Sequence, residues 1–142
     1  MRIFSDEKCF TVDQARNCHN DRYLADSPAS VPPINRTKHP ASVMMLGVVG
    51  SDGKKMDPYW FPKGIRVGTK EYLVSMKLVV EPWLRRNYPG GNYVWQQDSA
   101  PGHASKETQK WISENLAAYW KKELWPPSSP DLNPLDLSLI HI

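Results

Sequence analysis

Two aspartates stand where apolar sequence gives way to polar sequence. Asp6 interrupts the run Arg2 to Val12, in which Ile3, Phe4, Cys9, Phe10 and Val12 are apolar or strand-forming. Asp98 follows directly on Asn92 to Gln97 (NYVWQQ), which reads as another short strand. A third, Asp136, is delivered to the start of a final helix by the proline-rich run WPPSSPDLNPLDL. A buried carboxylate at a strand end is costly unless it is paired or bound to a cation. Carboxylates from three distant points in a chain can converge on a hard cation such as Mg2+, which takes oxygen ligands and keeps several waters. Two such ions about 4 Å apart activate an attacking oxygen and stabilise the leaving oxygen of a phosphodiester. The chain has 15 acidic residues, so many other triples exist. A solvated edge strand is an equal reading for Asp6.

The elements that must position these residues follow from hydrophobic period. Ser42 to Gly50 (SVMMLGVVG) is nearly all apolar and predicts a buried central strand. Asp52-Gly53 after it is a hairpin signal, so Met56 to Phe61 should pair back. Thr69 to Arg86 predicts a helix: Tyr72, Leu73, Met76, Val79, Val80, Trp83 and Leu84 recur at helical spacing. Thr69 is the expected N-cap, and Pro82 should kink the last turn. After a Pro-Gly turn, Ser105 to Leu116 predicts a second helix with Trp111, Ile112 and Leu116 inward. Tyr119 to Trp125 reads as one more short strand, and Asn17 to Thr37 as an irregular connection. This order predicts one α/β domain over residues 1–142, a mixed sheet with helices packed on it.

Composition narrows the class only modestly. The 18 Lys and Arg against 15 Asp and Glu give a net charge of +3, which permits a nucleic-acid partner without demanding one. Cys9 and Cys18 make neither a disulfide framework nor a zinc pattern and read as reduced thiols. The N-terminal stretch MRIFSDEKCF has no apolar signal region, and no run approaches the roughly 20 apolar residues of a membrane span. The expectation is an intracellular protein with no membrane partner.

Four blocks occur in order: FSDEK at 4–8, KHPASVMMLGVVGSDGKK at 38–55, QQDSAPGHASKETQKW at 96–111 and WPPSSPDLNPLDLS at 125–138. Together they resemble the catalytic domain of mariner-superfamily DNA transposases over all but the last few residues. The resemblance implies a ribonuclease-H-like fold. It also implies a catalytic, metal-binding triad of Asp6, Asp98 and Asp136. Between Asp98 and Asp136 lie 37 residues; most of the superfamily is similar but uses 34, and the longer spacing resembles an all-aspartate branch. Asn133 sits at the shorter spacing, where an amide supplies no charge. The implied cofactors are two Mg2+ or Mn2+ ions, bridged by Asp6 and held on either side by Asp98 and Asp136. The implied reaction is phosphodiester hydrolysis at a transposon end by metal-activated water, then 3′-hydroxyl attack on target DNA, typically at TA. The implied partner is double-stranded DNA, the implied compartment the nucleus, and the full-length family implies a homodimer.

Other residues divide between chemistry and packing. His103, five residues after Asp98, could contact a phosphate, orient the loop, or simply pack. Glu7 should face away from Asp6 across the strand and is read as structural. Asp131 is expected to cap the loop or the helix after it, and His39 to sit in a turn. Lys54, Lys55, His103 and Lys106 are the DNA-contact candidates, with Arg85, Arg86 and Lys110 behind them. Trp95 and Trp111 should pack the core, and Trp125 should support the proline loop. The family places helix-turn-helix domains ahead of this one, and here the first motif begins at residue 4. After Asp136 the chain reads Leu-Ser-Leu-Ile-His-Ile where the family continues with a further helix. The expectation is therefore a domain without its helix-turn-helix partners and with a shortened last helix. An inactive remnant that binds DNA or dimerises is the alternative to an enzyme.

Overall fold

The computed structural model describes residues 1–12, 22–31, 37–126 and 129–138, with backbone alone for 137–138. Cys18, much of the connection expected over 17–37, and the four C-terminal residues lie outside the described residues.

Four strands form one mixed sheet in the order β3-β2-β1-β4. They are β1 (Arg2–Thr11), β2 (Ser42–Gly50), β3 (Tyr59–Trp60) and β4 (Val94–Gln96). The long β1 is central: it pairs antiparallel with β2, from Ile3 opposite Gly50 to Thr11 opposite Ser42. On its other side it pairs parallel with β4, Arg2 with Val94 and Phe4 with Gln96. The Asp52-Gly53 turn closes as its composition predicts. Gly53 has φ 87°, a left-handed value that glycine adopts without a steric cost. The returning chain pairs with β2 through Met56 N–H to Val48 O (2.9 Å) and Phe61 N–H to Met44 O (2.9 Å).

The main helical segment contains α1 (Thr69–Ser75), a π-helical turn (Met76–Val80) and α2 (Glu81–Asn87). Its N-cap is Gly68 rather than Thr69: the Gly68 N–H donates to the Glu71 carboxylate at 3.0 Å, so the capping charge comes from inside the helix. Pro82 acts by widening a turn. It has no N–H to offer the Leu78 carbonyl and its ring crowds that oxygen; the Glu81 N–H instead reaches five residues back to Met76 O. Where a plain Pro-Gly turn was expected, residues Pro101–Ala104 form a short helix, α3. Ser105 then caps α4 (Lys106–Asn115), its hydroxyl accepting from the Thr108 N–H at 3.2 Å.

The strand expected over Tyr119 to Trp125 does not form. Tyr119 makes a single parallel bridge to Trp95, and the chain then enters a 3-10 turn at Lys122–Leu124. β4 offers only three residues to pair with, and Lys121-Lys122-Glu123 has no apolar face to bury. A 3-10 turn at Pro130–Leu132 and a short α5 (Pro134–Ser138) complete the described chain. Among the described residues no helix is long and apolar enough to cross a membrane.

The two faces of the sheet pack differently. Ile3, Leu46, Val48 and Trp95 meet Tyr72, Met76, Val80, Leu84 and Ile112 of the helices in the main core. Phe4, Phe10, Met45 and Val49 gather around Leu135 of α5 in a second, smaller cluster. The alternation along β1 therefore sends Phe4 toward α5 and Ile3 toward α1. By the same alternation Asp6 and Glu7 face opposite sides.

Candidate active site

Three elements bring the aspartates together. Asp6 lies in the middle of β1 opposite Gly47 and is buried. Asp98 follows β4 by two residues, and because Gln96 is in register with Phe4, the parallel pairing carries Asp98 alongside Asp6. Asp136 comes from α5, whose five residues are too few to hold a helix by themselves. It is held by what precedes it. The Asn133 amide donates to Ser5 O of β1 at 3.0 Å, while its oxygen accepts from the Leu135 N–H at 3.1 Å. The Gln96 amide donates to Leu132 O at 2.8 Å, and the Leu135 side chain is fully buried. Asn133 thus does the capping expected of Asp131, which is exposed.

The electrostatics record the crowding. Asp6 is raised from 3.8 to about 7, first by burial, then by the negative charges of Asp136 and Glu7, with a hydrogen bond to Asp136 and the charge of Asp98 adding to it. Two carboxyls in hydrogen-bond contact need a proton between them or a cation beside them. Asp98 behaves oppositely. Burial pushes its carboxyl up, but hydrogen bonds from His103 and the Ala100 N–H outweigh that and hold it below its ordinary value.

His103 is buried between two acids. Its Nδ1 lies 2.5 Å from Asp98 Oδ1 and its Nε2 lies 3.0 Å from Glu7 Oε2. The ring packs on Tyr72 with centroids 4.3 Å apart. Burial disfavours its charge, yet the bonds to Asp98 and Glu7 prevail and raise it from 6.5 to about 10. With both ring nitrogens engaged, His103 has no ring donor left for a phosphate. Tyr72 is itself fixed, donating to Gln97 Oε1 at 2.5 Å, which also accepts from Trp95 Nε1 at 3.0 Å.

The basic candidates scatter. Lys54 donates to Asn87 O at 3.2 Å, pairs with Asp52 at 3.7 Å and sits over the Tyr88 ring. It belongs to the turn beyond Gly50, which pairs with Ile3, about 10 Å along β1 from Asp6. Lys55 is exposed beside it. Lys106 is exposed at the start of α4, three residues from His103. Arg85 and Lys110 pair with Glu81 and Glu114 on their own helices.

Among the described residues no group of three or more His, Cys, Asp or Glu side chains is placed so that it could hold a metal ion as it stands. The donor set nevertheless suits a hard divalent cation: three carboxylates, one of them destabilised as an anion by its neighbours, with no thiolate or free imidazole among them.

The Glu7–His103–Asp98 connection and the Asn133 anchor were not legible beforehand. The alternation that turned Glu7 away from Asp6 was the available signal for the first. Asn133 before Pro134, a common way to open a helix, was the signal for the second.

No family model matches the chain. It is 35% identical over 101 residues to the Tcb2 transposase of Caenorhabditis briggsae, a match covering 71% of this chain and 34% of that one. It is 34% identical over 73 residues to the Tcb1 transposase of the same nematode, covering 49% and 25%. The chain thus spans a quarter to a third of the curated relatives it matches. Its fold matches the Mos1 mariner paired-end complex with Mn at TM-score 0.68 and 19% identity, over 98% of this chain and 40% of that one. The isolated Mos1 catalytic domain matches at TM-score 0.64 and 16% identity, over 98% and 56%. The fold is the ribonuclease-H-like α/β fold of a transposase catalytic domain. The chain is homologous to the Tc1/mariner transposases.

Proposed function

We propose that this chain carries the catalytic carboxylates of a Tc1/mariner-type cut-and-paste transposase, acting in DNA cleavage at transposon ends and in strand transfer. The observation that carries this reading is the meeting of Asp6 with Asp136, close enough to Asp98 that the charges of both act on the buried Asp6 carboxyl. Asp6, Asp98 and Asp136 would hold the divalent cations, Mg2+ or Mn2+ and two in number. Bound there, the cations supply Lewis-acid stabilisation of the attacking and leaving oxygens. The chain's own part is to orient. β1 would hold Asp6 on a strand, β4 would deliver Asp98 two residues past its end, and the buried Asn133 and Leu135 would hold the third against β1. His103 keeps Asp98 ionised and therefore ready to bind. Double-stranded DNA with transposon ends and a TA target, a nuclear location and a homodimeric assembly belong to the same proposal. So does the division of labour in which Lys106, and less directly Lys54 and Lys55, meets phosphates. Residues 1–142 act as one catalytic unit in this reading.

The test is a cleavage assay of the purified chain with Mn2+ and DNA bearing terminal inverted repeats. Metal-dependent cleavage by the wild type that disappears in Asp98→Ala supports the proposal. Cleavage that survives the substitution contradicts it. Mn2+ binding at the aspartates without any cleavage favours the remnant reading.

A further inference from the structure

Asp98 is a ligand with one oxygen already committed. Its Oδ1 accepts from the Ala100 N–H at 3.0 Å and meets His103 Nδ1 at 2.5 Å. Both of these bonds fall on the same oxygen, so they fix the rotation of the carboxylate and leave Oδ2 for whatever approaches. His103 cannot turn away from this duty. Its other nitrogen is taken by Glu7 at 3.0 Å, its ring packs on Tyr72, and only 4% of it is exposed. Glu7 is attached to β1 one residue from Asp6, so the connection ties the second aspartate back to the strand that bears the first. The other Glu7 oxygen, Oε1, is buried with no hydrogen-bond partner among the described residues.

We propose that His103 is a positioning residue for the Asp98 carboxylate, held in turn by Glu7, so that Asp98 presents a single preoriented oxygen, Oδ2, to a divalent cation. This rests on the metal-site reading above and adds two residues to it. Outer partners of metal ligands act in this way, by fixing orientation and raising the cost of misplacement. The connection runs from the loop after β4 through His103 of α3 to Glu7 of β1, whereas a helix-packing histidine would need neither acid.

Two measurements test it on the full chain, one free of metal. In metal-free protein, ring N–H resonances of His103 should be shifted downfield and protected from exchange on both nitrogens. Asp98→Ala should remove the Nδ1 signal and Glu7→Leu the Nε2 signal. Mn2+ titration should then show His103→Ala weakened by about 10–100-fold. His103→Asn, whose amide reaches the Asp98 side but not Glu7, should recover much of that loss. Circular dichroism should be unchanged in the variants compared. Absence of the paired ring signals overturns the proposal. So does a folded His103→Ala protein that binds Mn2+ as tightly as the wild type, which leaves His103 a packing residue. A wild-type chain that binds no Mn2+ overturns the metal reading beneath it, and the wild type alone reveals that failure. A His103→Ala variant that does not fold shifts the decision to the Glu7→Leu protein, which frees His103 Nε2. Unchanged Mn2+ affinity in that folded variant overturns the proposal; a loss supports it.

Discussion

Asp6 gives the metal-free protein an unusual dependence on pH. Its carboxyl ionises near 3.8 in an unfolded chain and near 7 when folded, because burial and Asp136 disfavour its charge. Between those values the folded state keeps a proton that the unfolded state has lost. Stability from this group is complete below about pH 4 and is lost as pH rises through 7. His103 has the same sign at higher pH, its contribution being lost between 6.5 and about 10. Asp98 has the opposite sign and costs stability only as pH falls below 3.8. Between pH 4 and 6.5 Asp6 shares only the lower end of the window with Glu71, whose carboxyl is held below 4.5 by backbone N–H groups, so the comparison is made between Asp6→Asn and wild type at each pH. Asp6→Asn should melt close to wild type at pH 4 and higher than wild type at pH 6.5 in the presence of chelator. About 1 kcal/mol moves the midpoint of a domain this size by roughly 4 °C. Equal midpoints at both pH values would show that the carboxyls do not crowd as described. At this scale the sequence was partly legible. Apolar flanks singled out Asp6 and Asp98, because a charge inside a strand stands out. The motif blocks, not spacing, picked Asp136 from the other acids. Nothing in the types or spacing of Glu7 and His103 tells that they meet across 96 residues of chain, since that meeting is made by sheet pairing.

Elements decide how well the third aspartate is held. α5 is short, yet Asn133 ties its first turn to Ser5 O and Leu135 anchors it in the small cluster beside Phe4 and Phe10. Asn133→Ala leaves the Ser5 carbonyl and the Leu135 N–H unpaired in a buried place, a loss of about 1–3 kcal/mol. The loss should be local. Exchange of the Asp136 amide should quicken before that of β1 amides, and the Asp6 carboxyl should fall back toward its ordinary range as Asp136 departs. Uniform acceleration of exchange across β1 and α5 would show that the two unfold as one unit. Element type was mostly legible, because β2 is a short, nearly unbroken apolar run and the main helical segment follows a period of 3.6. Two failures have physical causes. The Tyr119–Trp125 segment carries strand-forming aromatics, but a three-residue β4 leaves it almost nothing to pair with. Pro82 foretold a disturbance, while whether the helix bends or widens depends on packing of Met76 and Val80 into the core.

At the scale of the molecule, the order β3-β2-β1-β4 is what brings Asp98 alongside Asp6. The antiparallel hairpin is local and was foreseeable from Asp52-Gly53. The parallel β1–β4 pair was not, because it joins segments separated by the entire main helical segment and its register is fixed only on folding. That register sets Asp98 beside Asp6, and α5 then closes over the other face. The most direct measurement of the central claim is a crystal structure of the chain soaked in Mn2+, with anomalous scattering locating the ion. Density bounded by Asp6, Asp98 and Asp136, absent in crystals of Asp98→Ala, is the predicted result. Mn2+ found only elsewhere, or none bound at all with the three carboxyls still pressed together, would contradict it.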